Sequence, residues 1–400
     1  MSDLFSRPEY FQNIKFHRHT DRSFCWLVLF YDLVYVATLI LIGNFLSDNL
    51  TPLGFGQFMV MMFVVWWAWS GETLFQNRFV ADDIWHRILV FIQIFGVATI
   101  GLSVSDAFGD LYAQFTIGYV LVRTIMILMY ARVYRSHPDS RGFVVRYMVG
   151  FGGGIVIWLV GLLLPAGLHW AAWLVAIAFE ALFFGMPRMV EELARWRADT
   201  HHMVERFGIF TIIVLGEAFV KVLDDAQGTA LGLEQILFGI VGLVVLYGLW
   251  WLYFSDTAGE LPDESRSTGL IAWSYGHLFL AASLVAFGVG MKKLFGETIK
   301  YPGETITDSY RLLFTAAVTI FLLALAAIDY GVDDQQTTKR QAMKVPGHLV
   351  GAAVVLAVGL LVTGVTATQF AAIFAVIMVL LIGLNIFQAV SAPDQPHEAA

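Results

Sequence analysis

The chain has 400 residues, of which 58% are hydrophobic and 14% are charged, and its mean hydropathy is +0.70. These values exclude a soluble globular protein of this length and are typical of a polytopic membrane protein. The formal net charge of −8 comes largely from segments between the apolar stretches, so it indicates no nucleic-acid-binding surface. The lipid bilayer is therefore the partner that composition predicts, and the oligomeric state stays open.

The N-terminal segment is polar and basic, and an apolar stretch follows it. That stretch is too long for the core of a signal peptide, so we expect an uncleaved first helix. Its residue Cys25 is the single cysteine of the chain, which excludes an intrachain disulfide and a cysteine-based metal cluster. We expect Cys25 to serve packing, and we expect no metal.

Apolar stretches of about 20 residues predict an all-α polytopic integral membrane protein with about twelve transmembrane helices. These stretches lie near 25–46, 55–76, 86–104, 111–134, 145–164, 167–186, 204–223, 232–254, 268–290, 309–329, 346–364 and 369–390. If the N-terminus is cytoplasmic, 17 of the 24 Lys and Arg residues fall in inner segments. Because positive charge favours the cytoplasmic side, both termini are predicted to be cytoplasmic. The loop at 291–308 is the exception.

The chain also resembles itself at an offset of 184 residues. The matched pairs include His17 with His201, Arg22 with Arg206, Trp66 with Trp250, Trp67 with Trp251, Trp69 with Tyr253, and Glu72 with Asp256, while Asp32 falls one residue from Glu217. Chance matching is the alternative explanation. We favour a 6+6 parallel internal duplication with a pseudo-two-fold axis along the membrane normal, a plan that many transporters use, with binding sites between the halves.

This duplication predicts the organisation of the chain. Residues 25–186 form the first six-helix half and residues 204–390 form the second. A cytoplasmic N-terminal segment at 1–24, a cytoplasmic connector at 187–203 and a cytoplasmic tail at 391–400 complete the chain.

Three of the predicted spans contain a charged residue that could belong to a functional site. Asp32 lies in the first span and has no carboxamide or basic neighbour on its own helix, so its partner must come from another helix, and Arg123 is the obvious candidate. Arg123, in the fourth span, requires an anion, which either Asp32 or Glu180 in the sixth span could supply. Such a pair is either purely structural or part of a coupled proton or ion site, in which a carboxylate changes its charge while the arginine stays fixed.

The loop between the second and third spans contains polar residues, namely Asn77, Arg78, Asp82, Asp83 and His86. Two adjacent acids near a histidine suggest a metal site, but the spacing matches no ligand pattern. We favour a salt-bridged loop that fixes two helix ends.

Glycines and tryptophans have simpler explanations. The spacing of Gly150 and Gly154 resembles a phosphate-binding loop, but no strand precedes it, so close helix packing is predicted. Trp66, Trp67 and Trp69 lie toward the cytoplasmic end of the second span, and the matching Trp250 and Trp251 lie in the eighth. Aromatic belts at the membrane interface explain these positions.

The seventh span carries a polar stripe. His202, Arg206, Glu217 and Lys221 fall on one face of a helix, while its other faces are apolar. In lipid this face must contact protein or a water-filled cavity, because an exposed carboxylate would cost several kcal/mol. Glu217 is therefore either a functional residue or a structural pin between helices.

His277 in the ninth span is a further candidate. Its unperturbed pKa lies near neutrality, which suits a proton relay, although a lone membrane histidine is more often a packing residue. The chain has no HExxH, no nucleophile elbow and no Cys-x-x-Cys. We therefore predict no catalytic residues, no cofactor and no enzymatic activity.

Four strings resemble the bacterial low-temperature-requirement protein A (LtrA) family. They are FYDLVYV at 30–36, NRFVADD at 77–83, HHMVERFGIFTIIVLGEA at 201–218 and YGHL at 275–278. The motif residues include Asn77, Arg78, Asp82 and Asp83 in the second string and His202, Glu205 and Arg206 in the third. Val28 stands where the family has an acid in its first helix. The resemblance implies a multi-pass protein of the bacterial inner membrane, tied by its name to growth in the cold.

Together these observations predict an ion-coupled secondary transporter or permease for an unknown small solute or ion. Its central pathway would contain Asp32, Arg123 and Glu217, and its buried polar site would also include Glu180 and His277. The first alternative is a non-transporting structural or stress-adaptation protein whose buried charges only join helices. The second is an intramembrane enzyme that acts on lipid.

Overall fold

The computed structural model describes residues 15–16, 26–80, 83–165, 168–196, 198–226, 231–255, 257–263, 267–332 and 339–391. These residues form thirteen α-helices and one short antiparallel ladder, which joins strand β1 (Lys15–Phe16) to β2 (Phe79–Val80). The helices are α1 Trp26–Asp48, α2 Pro52–Arg78, α3 Ile84–Ser103, α4 Tyr112–Ser136, α5 Arg141–Gly161, α6 His169–Phe184, α7 Pro187–Arg195, α8 Thr200–Ala226, α9 Leu233–Phe254, α10 Ser267–Lys300, α11 Asp308–Tyr330, α12 Lys339–Leu361 and α13 Ala367–Ser391. The predicted helical class is thus confirmed.

Ten of these helices are long and apolar enough to cross a membrane, namely α1 to α5 and α9 to α13. The two other predicted spans are also helical. Helix α6 has 16 residues, and α8 carries Arg206, Glu217 and Lys221 in its apolar part. Side chains such as Trp26, Phe30 and Leu33 on α1 are exposed. Exposed apolar residues on such helices imply contact with the lipid bilayer.

Several helix ends differ from the sequence prediction. The span predicted at 268–290 continues as α10 to Lys300, and the span predicted from 346 begins at Lys339, so that Pro346 lies inside α12. The predicted connector 187–203 contains α7, which begins with Pro187. Hydropathy detects apolar residues, whereas a helix continues into polar sequence as long as its backbone hydrogen bonds are made.

The chain divides into two compact units. Unit 1 comprises Met1–Phe45 and Gln57–Arg206, and unit 2 comprises Leu46–Gly56 and Phe207–Ala400. In unit 1, α3 packs on α4, α4 on α5 and α5 on α6. In unit 2, α10 packs on α11, α11 on α12, and α13 on both α12 and α9.

The contact between α5 and α6 depends on small residues. A Cβ atom on Gly150 would lie 2.7 Å from the Phe183 ring, and one on Gly154 would lie 2.3 Å from the Glu180 carboxylate. The prediction of close helix packing at these two glycines is therefore confirmed. The glycine surface also makes room for a buried acid on α6.

Candidate functional site

The interior of unit 1 contains a buried ion pair between α1 and the first part of α8. Arg206 Nη2 lies 2.6 Å from Asp32 Oδ1, and the side chains are 1% and 0% exposed. Trp69 on α2 donates its indole N–H to the same oxygen at 2.7 Å, and its ring lies 5.9 Å from the guanidinium carbon. Asp32 is thus fixed by two charge-assisted hydrogen bonds.

A second buried pair joins α4 to α6. Arg123 donates from Nη2 to Glu180 Oε2 at 2.8 Å and from Nε to the Tyr119 hydroxyl at 2.8 Å. Trp67 donates its indole N–H to Glu180 Oε2 at 2.7 Å. The guanidinium lies over the ring of Phe151, 4.6 Å from its centroid. Both partners of this pair are fully buried.

Two tyrosines on α1 add further polar groups to this interior. The Tyr31 hydroxyl donates to the Tyr35 hydroxyl at 3.1 Å, and both side chains are buried. Tyr35 is within electrostatic range of Asp32 and of Arg123. The two ion pairs therefore belong to one polar interior, which we call the unit 1 network.

Glu72 on α2 adds a third buried acid to the unit 1 network. Its Oε1 accepts a hydrogen bond from Gln76 Nε2 at 2.7 Å, and the same nitrogen lies 3.1 Å from His86 Nε2 on α3. The carboxylate is within electrostatic range of Asp32 and Arg206. Its Oε2 makes no hydrogen bond within the described residues.

Several other charged atoms of the network also lack a hydrogen-bond partner in the described part of the chain. They are Asp32 Oδ2, Arg123 Nη1, Arg206 Nε and Arg206 Nη1. Buried polar atoms in proteins are nearly always paired with protein or ordered water. These atoms therefore have hydrogen-bonding capacity that ordered water could satisfy.

The predicted loop residues anchor the ends of helices. Asp83 accepts from the backbone N–H of His86 at 3.3 Å, which caps α3, and it forms a 2.6 Å ion pair with Arg132. Arg78 donates to the Trp196 carbonyl at 3.0 Å and to the Tyr147 hydroxyl at 3.3 Å. This is the salt-bridged arrangement that the sequence favoured.

The other residues of the family motifs differ in their burial and contacts. Asn77 is buried, and its carbonyl accepts from the Asp199 N–H at 3.0 Å. His202 is half-buried, and its Nδ1 lies 3.7 Å from the carboxylate of the exposed Glu205. Asp82 lies outside the described residues, as do Cys25 and the repeat positions His17, Arg22 and Asp256.

Unit 2 contains the two remaining candidates. Glu217 is half-buried on α8, and Lys221, one turn later, is buried. His277 on α10 is buried, with Nδ1 at 2.8 Å from the Trp273 carbonyl and Nε2 at 3.0 Å from the Tyr253 hydroxyl. Because only a donor can face a carbonyl, Nδ1 carries the proton and Nε2 accepts from Tyr253. This geometry is that of a satisfied core histidine.

The structure thus decides between the pairings that the sequence left open. Arg123 pairs with Glu180, whereas Asp32 pairs with Arg206, a residue that sequence reasoning placed only in a motif. The explanation of Trp69 as part of an interface belt was wrong, because this fully buried indole donates to Asp32; the half-buried Trp67 donates to Glu180. Sequence reasoning left the tryptophans and Glu72 out of the site, although the repeated W-W-x-[WY]-x-x-[DE] string marked them.

No group of three or more His, Cys, Asp or Glu residues suited to a metal ion occurs in the described part of the chain. Asp83 and His86 are joined by a helix cap, and His86 faces Gln76. The unit 1 network is accordingly a site of arginine–carboxylate pairs and hydrogen bonds.

Comparison with known proteins places this architecture in a family. The sequence model of the family described as bacterial low temperature requirement A protein (LtrA) matches residues 24–383. An uncharacterized protein of Rhizobium meliloti (strain 1021) is 25% identical over 286 residues, which cover 66% of this chain and 67% of that protein. The family match includes every helix that contributes to the unit 1 network, and it confirms the resemblance seen in the sequence. The chain therefore belongs to the bacterial LtrA family.

Proposed function

We propose that this protein is an ion-coupled secondary transporter or permease for a small solute or ion. The observation that carries the proposal is the pair of buried arginine–carboxylate contacts, Asp32–Arg206 and Arg123–Glu180, in which Asp32 and Arg123 lie on helices long and apolar enough to cross a membrane. Ionisable residues inside a membrane are costly and typically mark pathways for substrates, ions or protons.

The unused polar atoms favour transport over a purely structural role. A pair that only joined helices would be most stable with every donor and acceptor satisfied. Here Arg206 uses Nη2 toward Asp32, while its Nε and Nη1 have no partner among the described residues. Such atoms can bind water or a solute without breaking the ion pair. A structural protein, the first alternative, gains nothing from this arrangement.

The proposed architecture has twelve spans in a 6+6 parallel duplication. Its first support is the number of helices: six helices, α1 to α6, precede the short helix α7, and six more, α8 to α13, follow it. The shared order of packing within each unit also supports it. At 1.5 Å per residue, the 27 residues of α8 extend about 40 Å, enough to span a bilayer core of about 30 Å.

We further propose that the protein lies in the bacterial inner membrane with both termini cytoplasmic, and that it is not an enzyme. Orientation is tested by two single cysteines in a Cys25→Ser background. Glu304 lies in the loop after α10, and Ser136 lies at the end of α4. A membrane-impermeant thiol reagent added outside should label Glu304→Cys and not Ser136→Cys. The reverse labelling would refute the orientation.

Flux into proteoliposomes tests transport directly. Purified protein is reconstituted, its insertion is verified, and proton and cation movement under imposed pH and voltage gradients is followed with sensitive dyes. We expect flux in the wild-type protein, loss of flux in Asp32→Asn, and normal flux in Glu304→Gln, whose side chain is exposed. Absence of flux in correctly inserted wild-type protein, or normal flux in Asp32→Asn, would contradict the proposal and favour the structural alternative.

A further inference from the structure

Glu72 is the acid of the unit 1 network that forms no ion pair in the described part of the chain. Asp32 and Glu180 each contact an arginine, at 2.6 and 2.8 Å. Glu72 is also fully buried, yet the group that donates a hydrogen bond to it is a neutral amide, that of Gln76. An isolated buried carboxylate is strongly disfavoured unless it is neutralised.

Charged and titratable groups approach Glu72 from the neighbouring helices. On α1 these are Tyr31, Asp32 and Tyr35, and on the first part of α8 the group is Arg206. Tyr130 on α4 and His86 on α3 complete the set. Arg206 forms its ion pair with Asp32 and acts on Glu72 only at longer range, so Glu72 has no charged group in hydrogen-bond contact among the described residues.

The Arg78 guanidinium, at the end of the helix that carries Glu72, is directed elsewhere. It donates to the Trp196 carbonyl, the Leu74 carbonyl and the Tyr147 hydroxyl. None of these acceptors is the Glu72 carboxylate. Arg78 therefore forms no ion pair with Glu72 in the part of the chain that the structure describes.

Gln76 allows Glu72 to exist in two protonation states with little movement of heavy atoms. In the observed orientation the Gln76 amide nitrogen faces both Glu72 Oε1 and His86 Nε2, at 2.7 and 3.1 Å. That nitrogen can donate one hydrogen to an ionised Glu72 and one to a neutral His86. If the amide rotates by half a turn, its oxygen accepts from a protonated Glu72 and from a His86 that carries hydrogen on Nε2.

The donor set favours a proton over a divalent metal cation. Calcium and magnesium bind six or more oxygens in defined geometry, which requires several carboxylates or carbonyls. At Glu72 one carboxylate oxygen is bonded to Gln76 and one has no partner within the described residues. One uncommitted oxygen is sufficient for a proton.

We propose that Glu72 is an exchangeable proton-binding site and that the coupling ion of the transporter is therefore the proton. Binding forms an O–H bond on the Glu72 carboxylate and breaks an O–H bond of hydronium, with no change in oxidation state. The amide of Gln76 transmits this change to His86. The coupling role rests on the proposed transport function, whereas proton binding by Glu72 does not.

Infrared difference spectroscopy tests proton binding independently of transport. Proteoliposomes of the wild-type, Glu72→Gln and Glu304→Gln proteins are titrated from about pH 5 to about pH 9 in H₂O and D₂O. We expect a protonated-carboxyl band that appears on acidification, shifts in D₂O, is absent from Glu72→Gln and is retained in Glu304→Gln. An unchanged set of carboxyl bands in Glu72→Gln would show that Glu72 takes up no proton and would overturn the proposal.

A second variant keeps Glu72 in place in case Glu72→Gln does not fold. Gln76→Ala removes the hydrogen-bond partner, so the Glu72 band should shift in frequency and pH midpoint. A band with unchanged frequency and midpoint in this variant would also contradict the assignment.

Proton flux then separates this inference from the proposed function. Loss of proton-coupled flux in Glu72→Gln, with flux retained in Glu304→Gln, supports the coupling role. If the Glu72→Gln variant transports at the wild-type rate and with normal proton coupling, the coupling role is overturned and the transporter proposal is left intact. A Glu72 band in a wild-type protein without any flux would contradict the transporter proposal and support proton binding alone.

Discussion

Removing one partner of the Arg123–Glu180 pair should be far more damaging than removing both. The perturbation is a double-mutant cycle of Arg123→Met, Glu180→Gln and the double variant. Both side chains are fully buried, and Arg123 also donates to Tyr119 at 2.8 Å. Stranding a buried charge costs about 3–5 kcal/mol, whereas replacing a buried pair by neutral groups is often nearly neutral. We expect about 3–5 kcal/mol for each single variant.

The double variant should lose only about 1–2 kcal/mol, since one or two hydrogen bonds disappear but no charge is stranded. The interaction energy of the cycle should therefore exceed about 3 kcal/mol. Unfolding is measured by titration with a denaturing detergent in mixed micelles, with verified folding of each variant at the start. A double variant that is as unstable as the worse single variant would refute this reasoning.

The two single variants should also differ in their dependence on pH. In Arg123→Met the stranded Glu180 can take up a proton, so its destabilisation should shrink as the pH is lowered. In Glu180→Gln the stranded guanidinium stays charged at all accessible pH values, so its destabilisation should stay constant. Equal pH dependence in both variants would show that the damage comes from packing rather than from charge.

Further variants test other parts of the structure. Gly154→Ala should lower stability by about 1–3 kcal/mol, because its Cβ would lie 2.3 Å from Glu180 Oε1; Gly152→Ala has nothing within 4 Å and serves as the matched control in the same unfolding assay. His277→Ala should destabilise the protein by about 2–4 kcal/mol, because it leaves a cavity and an unpaired Tyr253 hydroxyl. The folded His277→Gln variant should keep the wild-type dependence of flux on pH. An altered dependence would support His277 as a proton relay. Asp83→Ala should cost about 1–3 kcal/mol through loss of the α3 cap and of the contact with Arg132; stability equal to that of Asp139→Ala, an exposed control, would contradict this.

Hydropathy and residue type were sufficient to predict the helices and to single out Asp32 and Glu180, both of which are fully buried. Each predicted span coincides with a helix, because an apolar run of membrane length must satisfy its backbone hydrogen bonds internally. That Arg123 needs an anionic partner also followed from chemistry alone, and Glu180 is that partner. The expectation that Arg123 would be the partner of Asp32 was wrong, because pairing depends on how distant helices pack. Asp32 and Arg206 are 174 residues apart.

The tryptophans show a different reason for failure. Position near a helix end is compatible with an interface belt and with a buried hydrogen bond, and only burial distinguishes the two. Trp69 is fully buried and donates to Asp32 at 2.7 Å. The string that repeats at 250–256 contained this information, since an aromatic donor three residues before an acid recurs at Tyr253 and Asp256.

The proposed duplication places Trp69 and Tyr253 at equivalent positions, and their partners show how the halves would have diverged. Trp69 donates to a carboxylate in unit 1, whereas Tyr253 donates to the neutral His277 in unit 2. Each position keeps a buried aromatic donor, but its acceptor is charged in unit 1 and neutral in unit 2. This asymmetry is the reason to begin mutagenesis at Asp32, Glu72 and Glu180 rather than at His277.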